Sequence, residues 1–427
     1  MVGAAQERLC RDVGCPFCGL ACDDLAVANA GGSLRVVEAG CWLSRERYRN
    51  SEIDPTALID GRPADRPAAL ARAAEILSGS RAPVFAVAAD IAATRVALRL
   101  ADRLGGVLDH PDSAALLRNI RTIQDVGSLA TTLSEIRNRA DVVLVIGPDP
   151  LQRLPRFVER CIDVERTLSG LDPRQRSLFR LGPPAAGGPA SGGGNAVTEL
   201  TCGMEHLPAA IALLGAALRG RRLKSEIVEG ITAEGLTDLA DRLLSARYGV
   251  IAWVPGAFDS PDGEVIGQAI LELAREATRS TRCSVVALGG SGNSLGVNQV
   301  CTWQSGVPVP AGFGRGVPEH DPYRFSARRM LRDGETDALV WIDAFGGSAP
   351  PDEGEAPTIV LAPRVPDAAR PAVFLPVGMP GLDHAGTVFR TDNVVALRLP
   401  ALRDARAPDA ATTLGEIERL LAGEGRR

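Results

Sequence analysis

The sequence predicts an α/β protein with more than one parallel sheet, preceded by a small cysteine-rich segment. Three observations predict this class. At 427 residues the chain is long enough for two or three domains with ample cores. Short apolar runs alternate along it with alanine- and leucine-rich stretches of helical length, an order typical of parallel, doubly wound sheets. Five of the nine cysteines lie in the first 41 residues.

The predicted elements follow that order. Residues 25–38 alternate around two glycines like a β-hairpin. We predict strands at 83–88, 142–146, 250–254, 284–288, 338–342 and 358–361. We predict helices at 68–77, 91–104, 129–139, 207–218, 236–247, 265–278 and 323–331. The glycine- and proline-rich residues 182–195 predict a flexible loop.

Charge and hydropathy exclude two classes of partner. The formal net charge is −5, whereas a nucleic-acid-binding surface normally carries a basic excess. No apolar run approaches the ~20 residues that a membrane-spanning helix needs. The first residues lack the apolar stretch and cleavage site of a secretory signal. We therefore expect a soluble, cytoplasmic protein that binds neither nucleic acid nor membrane.

The cysteines Cys15, Cys18, Cys22 and Cys41 form the pattern C-x2-C-x3-C-x18-C. Three thiols on one short loop point to a common centre, and a reducing compartment disfavours disulfides. Four thiolates are the number that a [4Fe-4S] cluster or a tetrahedral zinc ion needs. The spacing predicts a metal site, with iron–sulfur and zinc both open. A [2Fe-2S] cluster using Cys10 ranks third, because its fourth ligand would come from afar.

Other features have ordinary explanations beside functional ones. The residues 289–293, Gly-Gly-Ser-Gly-Asn, follow a predicted strand and precede a helix. Open α/β sheets hold phosphates at such points, but a plain tight turn explains the sequence as well. His320 and His384 lie beside aspartates, and solvated loop histidines are commoner than acid–base pairs. The basic segment from Arg315 to Arg332 normally indicates a solvated face.

Four blocks of sequence carry a family resemblance. They are Cys15-Pro-Phe-Cys-Gly-x-x-Cys-Asp-Asp24, Asn138-Arg-Ala-Asp-Val142 with Gly147-x-Asp-Pro150, Gln299-Val-Cys-Thr-Trp-Gln-Ser-Gly306, and Gly386-Thr-Val-Phe-Arg390 with Asp392. In this order and spacing the chain resembles the B subunit of formylmethanofuran dehydrogenase, in the molybdopterin oxidoreductase superfamily, over nearly its whole length.

The resemblance implies a formate dehydrogenase/DMSO reductase-like fold, with domains I–III and Rossmann-like parallel sheets around a central cavity. We expect residues 1–60 to form the four-cysteine metal-binding segment, with a [4Fe-4S] cluster favoured by the family. Residues 61–150 and 320–427 would form one α/β domain, and residues 151–319 a second Rossmann-like domain.

The sequence departs from this family at one position that decides the chemistry. The family carries a metal-ligating cysteine in a Cys-His-Gly-Pro motif, and the corresponding residues here are Ala115-Leu116-Leu117-Arg118, between Asp109 and Gln124. A methyl group cannot ligate molybdenum or tungsten. We therefore expect no molybdopterin and no catalytic residue in this chain. The alternative is a working molybdenum or tungsten formylmethanofuran dehydrogenase subunit.

A family member without its metal ligand resembles the B subunit of the formyltransferase/hydrolase complex of methylotrophic bacteria. That resemblance implies a role in one-carbon metabolism. The complex transfers a formyl group from tetrahydromethanopterin to a methanofuran-type carrier and releases formate. The expected partners are an amidohydrolase-like hydrolase, a formyltransferase and a β-helix protein of the C-subunit type, and the chemistry belongs to them.

The vestigial pterin cavity implied by the family is the remaining candidate site. Methanofuran-type carriers end in a polyglutamate tail, which arginines suit through bidentate hydrogen bonds. We expect the cavity to hold the carrier's tail or to be a collapsed relic, with no preference between the two. Its predicted lining is Asn293, Gln299, Arg315, Arg390 and Thr391.

Overall fold

The computed structural model of the protein describes residues 7–148, 150–184, 197–224, 226–228, 230–260, 262–367 and 369–424. By its internal contacts the chain forms two compact units. Unit 1 comprises Met1–Ser113 and Gly290–Arg427, and unit 2 comprises Ala114–Gly289. These limits differ from the predicted domain limits near 150 and 319. Most of the loop predicted at 182–195 lies outside the described residues.

The described strands are, in chain order, β1 Arg8–Val13, β2 Leu25–Ala30, β3 Ser33–Glu38, β4 Ala57–Ile59, β5 Arg62–Ala64, β6 Pro83–Ala88, β7 Val107–Asp109, β8 Val142–Ile146, β9 Ser177–Gly182, β10 Val197–Thr201, β11 Glu226–Val228, β12 Ile231–Thr232, β13 Gly249–Trp253, β14 Cys283–Ala287, β15 Ala311–Gly312, β16 Glu319–His320, β17 Ala338–Asp343, β18 Thr358–Ala362, β19 Val373–Pro376, β20 Gly386–Phe389 and β21 Ala396–Leu399.

The described helices are α1 Trp42–Arg49, α2 Arg66–Gly79, α3 Ile91–Arg103, α4 Ser113–Val126, α5 Leu133–Arg139, α6 Phe157–Cys161, α7 Leu207–Leu218, α8 Ala233–Ser245, α9 Gly263–Ala277, α10 Ser294–Ser305, α11 Ala327–Arg332 and α12 Ala410–Glu424. None of the helices in the described ranges is long and apolar enough to cross a membrane.

Unit 1 contains a nine-stranded sheet in the order β16-β15-β7-β6-β17-β18-β19-β4-β5. Its five central strands, from β7 to β19, run parallel. All residues of β6 are buried, as expected for a parallel strand covered on both faces. Met330 and Leu331 of α11 pack on one face beside Trp341. The predicted parallel sheet is confirmed here.

Unit 2 contains a five-stranded, wholly parallel sheet in the order β10-β9-β8-β13-β14. Strand β8 pairs with β9 and β13, so residues 142–146 lie in this unit and not with β6. The pairing therefore explains why the contact units divide at Ser113 rather than near 150. Helices α7, α8 and α9 bury their apolar faces against this sheet in one core.

Two predicted helices begin later than expected. Residues 129–131 are extended, because Val285 N–H donates to Leu129 O and Thr131 N–H donates to Val285 O. Thr132 then caps α5 by accepting from Glu135 N–H at 3.1 Å. The helix predicted from 323 begins at 327, because the Asp321 carboxylate holds a preceding turn through the N–H groups of residues 323 and 324.

The N-terminal segment is an antiparallel sheet, β1-β2-β3, followed by α1. A buried ion pair ties it to the C-terminal part of the chain. Arg403 donates to both carboxylate oxygens of Asp383, with Nε–Oδ1 at 2.7 Å, and their side chains are 3% and 0% exposed. The same guanidinium donates to Gly32 O and to Ser51 O and Oγ. One side chain therefore fixes the β2–β3 turn and the residues after α1.

We expect Arg403→Ala to lower the free energy of unfolding by about 3–5 kcal/mol, because it leaves a buried carboxylate and two carbonyls without their donor. Arg403→Lys should lose much of this stability too, since an ammonium cannot reach all of these acceptors in fork geometry. Urea denaturation followed by circular dichroism measures both. Arg72→Ala, which removes an exposed pair with Glu75, is the control and should change stability far less, because solvent screens exposed ion pairs. Equal losses for Arg403→Ala and Arg72→Ala would contradict the assignment.

Candidate functional site

The cysteine loop forms a tight knuckle between β1 and β2. Cys15 N–H donates to Cys22 O at 2.7 Å, and Ala21 N–H donates to Cys18 O at 3.2 Å. Ala21 takes a positive φ of 45° to close the turn. The three cysteines of the knuckle are buried. The backbone therefore folds the first three predicted ligands onto one loop.

Cys41 brings the fourth thiol from the next element. It is the N-cap of α1, and its Sγ accepts from Ser44 N–H at 3.4 Å. Burial raises the pKa of the Cys15 thiol well above its usual value, and Cys18, Cys22 and Cys41 raise it further. The four sulfurs are thus close enough to interact electrostatically.

The donor set of four thiols suits iron–sulfur or zinc chemistry. None of the nine cysteines, all of which are described, forms a disulfide. Within the described residues, however, no three His, Cys, Asp or Glu side chains are arranged to hold a metal ion. The predicted ligands are neighbours, but their sulfurs are not gathered around one point.

Tyr48 of α1 packs against the cysteine knuckle. Its side chain is wholly buried, its hydroxyl donates to Gly14 O at 3.3 Å, and its ring meets Phe17 edge-on with centroids 5.4 Å apart. Burial, and then Cys15, raises the pKa of Tyr48, so the hydroxyl keeps its proton. A helix that the sequence did not predict, α1, therefore holds the cysteine knuckle through an aromatic contact.

The glycine loop before α10 lies against this knuckle. Gly290 has a φ of 91°, and a Cβ there would lie 3.0 Å from Gly19 Cα. Thr391 N–H donates to Gly19 O at 2.7 Å. The glycines of this loop therefore permit the close approach of the cysteine knuckle.

Asn293 connects three segments at this point. The side chain is buried, its Nδ2 donates to Ala89 O at 2.9 Å, and its Oδ1 accepts from Phe389 N–H at 2.8 Å. Two of the predicted cavity residues, Asn293 and Thr391, thus lie in the same part of unit 1 as the cysteines, and Asn293 is fully used as a bridge between backbone groups.

Burial and hydrogen bonding hold His110 in one neutral tautomer. Its Nδ1 accepts from Asp112 N–H at 2.9 Å, so the proton is on Nε2, which donates to Gly292 O at 3.2 Å. Burial lowers the pKa of this imidazole. His110 was not among the residues predicted from the sequence to be functional. Its position directly after β7 and next to Asp109 is the sequence feature that could have indicated it.

Asp109 ends β7 beside His110 and is buried. Its Oδ1 accepts from His110 N–H at 2.8 Å and its Oδ2 from Ala327 N–H at 2.8 Å. Burial raises the pKa of this carboxyl from 3.8 to about 6, although these N–H groups and Ser113 hydrogen-bond it. The aspartate that we used as a sequence marker therefore has a structural role.

The predicted arginines have partners within the chain. Arg390 forms a bidentate pair with Asp392, with distances of 2.8 and 2.7 Å. Arg315 is 70% exposed and pairs with Glu319 at 2.9 Å. Gln299 is half-buried on α10. The structure shows no contact that joins Arg315 to Asn293 or Thr391 in the described part of the chain.

His320 and His384 bond to backbone carbonyls. The Nδ1 of His320 meets Pro310 O at 2.9 Å, and the two ring nitrogens of His384 meet Ala385 O and Gly378 O. The Asp383 carboxylate accepts hydrogen bonds from Arg403 Nε and from Met379 N–H. The hydrogen bonds of both imidazoles thus run to backbone carbonyls and not to the neighbouring aspartates.

Comparisons with known proteins agree with the predicted resemblance, although no family model matches the chain. It is 29% identical over 371 residues to the B subunit of the formyltransferase/hydrolase complex Fhc of Methylorubrum extorquens, covering 85% of this chain and 96% of that protein. It is 24% identical over 440 residues to the B subunit of tungsten-containing formylmethanofuran dehydrogenase 2 of Methanococcus maripaludis, covering 96% and 97%.

Two solved structures resemble the fold. One is a chain of the formyltransferase/hydrolase complex FhcABCD from Methylorubrum extorquens in complex with methylofuran, with a TM-score of 0.74, 28% identity and coverage of 87% of this chain and 100% of that one. This chain resembles the Fhc B subunit. Acetylene hydratase of Pelobacter acetylenicus, with a TM-score of 0.60, 10% identity and coverage of 97% and 70%, shares the fold alone. The resemblance to the B subunit of formylmethanofuran dehydrogenase is thereby confirmed.

Ala115, where the resemblance predicts the metal-ligating cysteine of the dehydrogenase family, lies in α4 of unit 2. It is half-buried, and a Cβ at Gly256 would lie 3.3 Å from its methyl group. Arg118, three residues on, pairs with Asp259 at 3.0 Å. The side chains here are a methyl group and a surface ion pair, and neither supplies a soft ligand.

We expect Asp109→Asn to change how stability depends on pH. A raised carboxyl pKa means that folding favours the protonated form, so this group stabilises the protein most below its ordinary pKa of 3.8 and loses that contribution as pH rises to about 6. Relative to the variant, wild type should lose up to about 3 kcal/mol between pH 4 and 6. Urea denaturation across that range measures the difference.

The control for this prediction is Asp321→Asn. The N–H groups of Arg324, and then Tyr323, lower the pKa of Asp321, so its contribution is lost as pH falls and the difference from wild type should have the opposite sign. A flat difference for Asp109→Asn would show that this carboxyl titrates normally.

Proposed function

We propose that this protein is the non-redox B subunit of a formyltransferase/hydrolase complex and that it holds the carrier coenzyme. The similarity to the Fhc B subunit, whose solved complex contains methylofuran, carries the proposal. The complex would transfer a formyl group from tetrahydromethanopterin to a methanofuran-type carrier and release formate. Its hydrolase, formyltransferase and β-helix subunits would be the partners of this chain and would carry the chemistry.

The residue at position 115 supports a role without redox catalysis. The dehydrogenase family that this chain resembles ligates its molybdenum or tungsten with a cysteine, and an alanine methyl provides no donor atom. The chemistry assigned to the complex moves a formyl group without moving electrons, so it needs no such centre. Architecture and retention of the carrier are the roles left to this protein.

Retention of the carrier favours a tether. A carrier that serves two active sites reaches each more often when its far end is held, because tethering raises the local concentration to roughly the millimolar range. A polyglutamate tail presents repeated carboxylates, and guanidinium groups bind carboxylates by charge-assisted, bidentate bonds. Arg390 and Arg315 are the proposed anchors, with Asn293, Gln299 and Thr391 near the tail.

We expect the purified complex to retain its carrier through the tail. Arg315→Ala and Arg390→Ala should each weaken retention roughly 10-fold or more, because each removes a charge-assisted hydrogen bond. Mass spectrometry of denatured complex measures bound carrier per chain after repeated dilution and concentration. A carrier shortened to a single glutamate should be lost faster than the natural one.

Arg72→Ala is the matched control, since it removes a guanidinium from the surface of α2 and should leave retention unchanged. If the complex holds the shortened carrier as tightly as the natural one, the tail is not the anchor. If both arginine variants retain the natural carrier while the shortened one is lost, the tail binds elsewhere.

We further propose that Cys15, Cys18, Cys22 and Cys41 hold a structural [4Fe-4S] cluster or zinc ion. The electrostatic proximity of the four thiols supports this set, and gathering the sulfurs would require rotation of the side chains. Such a metal would stabilise the first fifty residues. No step of the proposed formyl transfer passes through it.

Metal analysis of complex purified without oxygen should give about four iron atoms or about one zinc ion per chain. Cys18→Ser should lower that content and the melting temperature together, whereas Cys10→Ser should change neither. Absence of both metals from intact complex would remove the cysteine proposal. Stoichiometric molybdenum or tungsten would instead favour the dehydrogenase alternative.

A further inference from the structure

Asp343 is a buried carboxylate that is surrounded by backbone N–H groups. It ends β17 and is 3% exposed. Its Oδ1 accepts from the N–H groups of Phe345 and Gly346 at 3.2 and 3.0 Å. Its Oδ2 accepts from the N–H groups of Gly347 and Ser348 at 2.7 and 2.6 Å, and from Ser348 Oγ at 2.9 Å.

Four consecutive amides that point at one centre form an anion-binding nest. Such nests hold phosphates and other anions in many proteins, and here a side chain of the same loop supplies the anion. Asp343 makes no ion pair with any described residue, so these five donors stabilise its charge. Removing the side chain would leave all five facing an empty anion site.

The nest lies where open α/β sheets bind ligands. Strands β6 and β17 are neighbours. The strand that follows β6 in the chain, β7, pairs on the outer side of β6, and the strand that follows β17, β18, pairs on the outer side of β17. This is a topological switch point, and ligands normally bind outside the carboxyl ends of the strands there.

A cavity of about 470 Å³ opens beside the nest. Its charged lining residues are Arg47 and Arg364 with Asp343 and Asp367, and the loop from Gly346 to Ser348 forms one wall. Arg47 donates from Nη1 to Gly346 O, and Arg364 is exposed. The carboxylates of Asp343 and Asp367 offset the two guanidinium groups, so the nest amides are the donors that would bind a phosphate if the Asp343 side chain did not already accept from them.

The neighbouring strands end in the same way. Asp109 closes β7 as described above. Asp90 follows β6 and accepts from Ala93 N–H at 3.2 Å, capping α3. Three adjacent parallel strands thus have their carboxyl-end amides hydrogen-bonded to the protein's own aspartates.

We propose that Asp343 is a specificity-determining residue that occupies the anion nest of unit 1 and so excludes phosphate-bearing ligands from the adjacent cavity. The proposal goes beyond the function proposed above and does not depend on it, because it concerns the filling of one nest and not the carrier. In this view phosphate is excluded because the Asp343 side chain occupies the nest, and not because of the overall charge of the cavity.

The test measures phosphate binding by Asp343→Ala within the purified complex. Inorganic phosphate and pyrophosphate are the probes, titrated at constant ionic strength with sodium chloride as the reference salt. We expect the variant to melt at a lower temperature than wild type. Phosphate should raise that temperature in the variant and leave wild type unchanged. Isothermal titration calorimetry should show an affinity at least tenfold higher for the variant.

Two further variants separate occupancy from charge and from general loss of stability. Asp343→Asn keeps the nest filled but removes the charge, so it should bind phosphate no better than wild type. Asp337→Ala removes an exposed carboxylate that accepts from Arg81 N–H and Ala82 N–H and lines no part of this cavity. Asp337→Ala should melt at a lower temperature than wild type, and phosphate should not raise its melting temperature.

Three results would overturn the proposal. The first is that Asp343→Ala does not bind phosphate. The other two are that wild type, or Asp343→Asn, binds phosphate as tightly as Asp343→Ala does. If Asp343→Ala fails to fold, refolding from urea decides the question. Recovery in phosphate but not in sodium chloride supports the proposal, and recovery in neither contradicts it.

Discussion

The buried pair of Arg403 and Asp383 sets the arrangement of everything near the cysteines. A charge inside a protein is tolerated only when its hydrogen-bonding capacity is filled. Here the guanidinium is satisfied by a carboxylate and by the carbonyls of Gly32 and Ser51. Those carbonyls belong to the hairpin and to the residues after α1, the two elements that flank the cysteine knuckle. The positions of three cysteines and of Cys41 therefore depend on an arginine from the far end of the chain.

The class of fold was predictable because it rests on short-range patterns. Strand β6 is an uninterrupted apolar run, whereas the apolar residues of α3 recur at helical spacing, so the spacing and length of the runs identify both elements. The start of α5 was not predictable in this way. Residues 129–131 have helical composition, but Val285 of a distant strand supplies their hydrogen bonds, and tertiary pairing overrides local preference. The division of the chain depends on the partners of β8, which no local pattern contains.

The candidate site was predictable in its cysteines and not in its surroundings. Spacing alone singled out Cys15, Cys18 and Cys22, because adjacent thiols on one loop are rare without a shared purpose. The roles of Asp109, His110 and Asp343 depend on which backbone groups point at them. Aspartate and histidine are common at strand ends in solvent, so their sequence positions carry little signal. Arg390 was indicated by its family position, and the structure adds a bidentate partner, Asp392, that the sequence did not indicate.

The internal aspartates also constrain where a polyanionic carrier tail would bind. Asp90, Asp109 and Asp343 already fill the hydrogen-bonding sites at the carboxyl ends of β6, β7 and β17, where amides would otherwise bind a carboxylate. A polyglutamate chain meeting unit 1 at this edge therefore finds no open amide nest at Asp343. In the cavity beside it, Asp343 and Asp367 offset Arg47 and Arg364, so exposed guanidinium groups elsewhere, such as the proposed anchor Arg315, are the donors that remain for such a chain. Contacts of that kind involve exposed charges, which salt screens over about 8–10 Å. If the proposed function is right, added salt should release a tail that is held by exposed arginines. Salt would release a tail bound in a desolvated nest much less, so this property distinguishes the two kinds of binding.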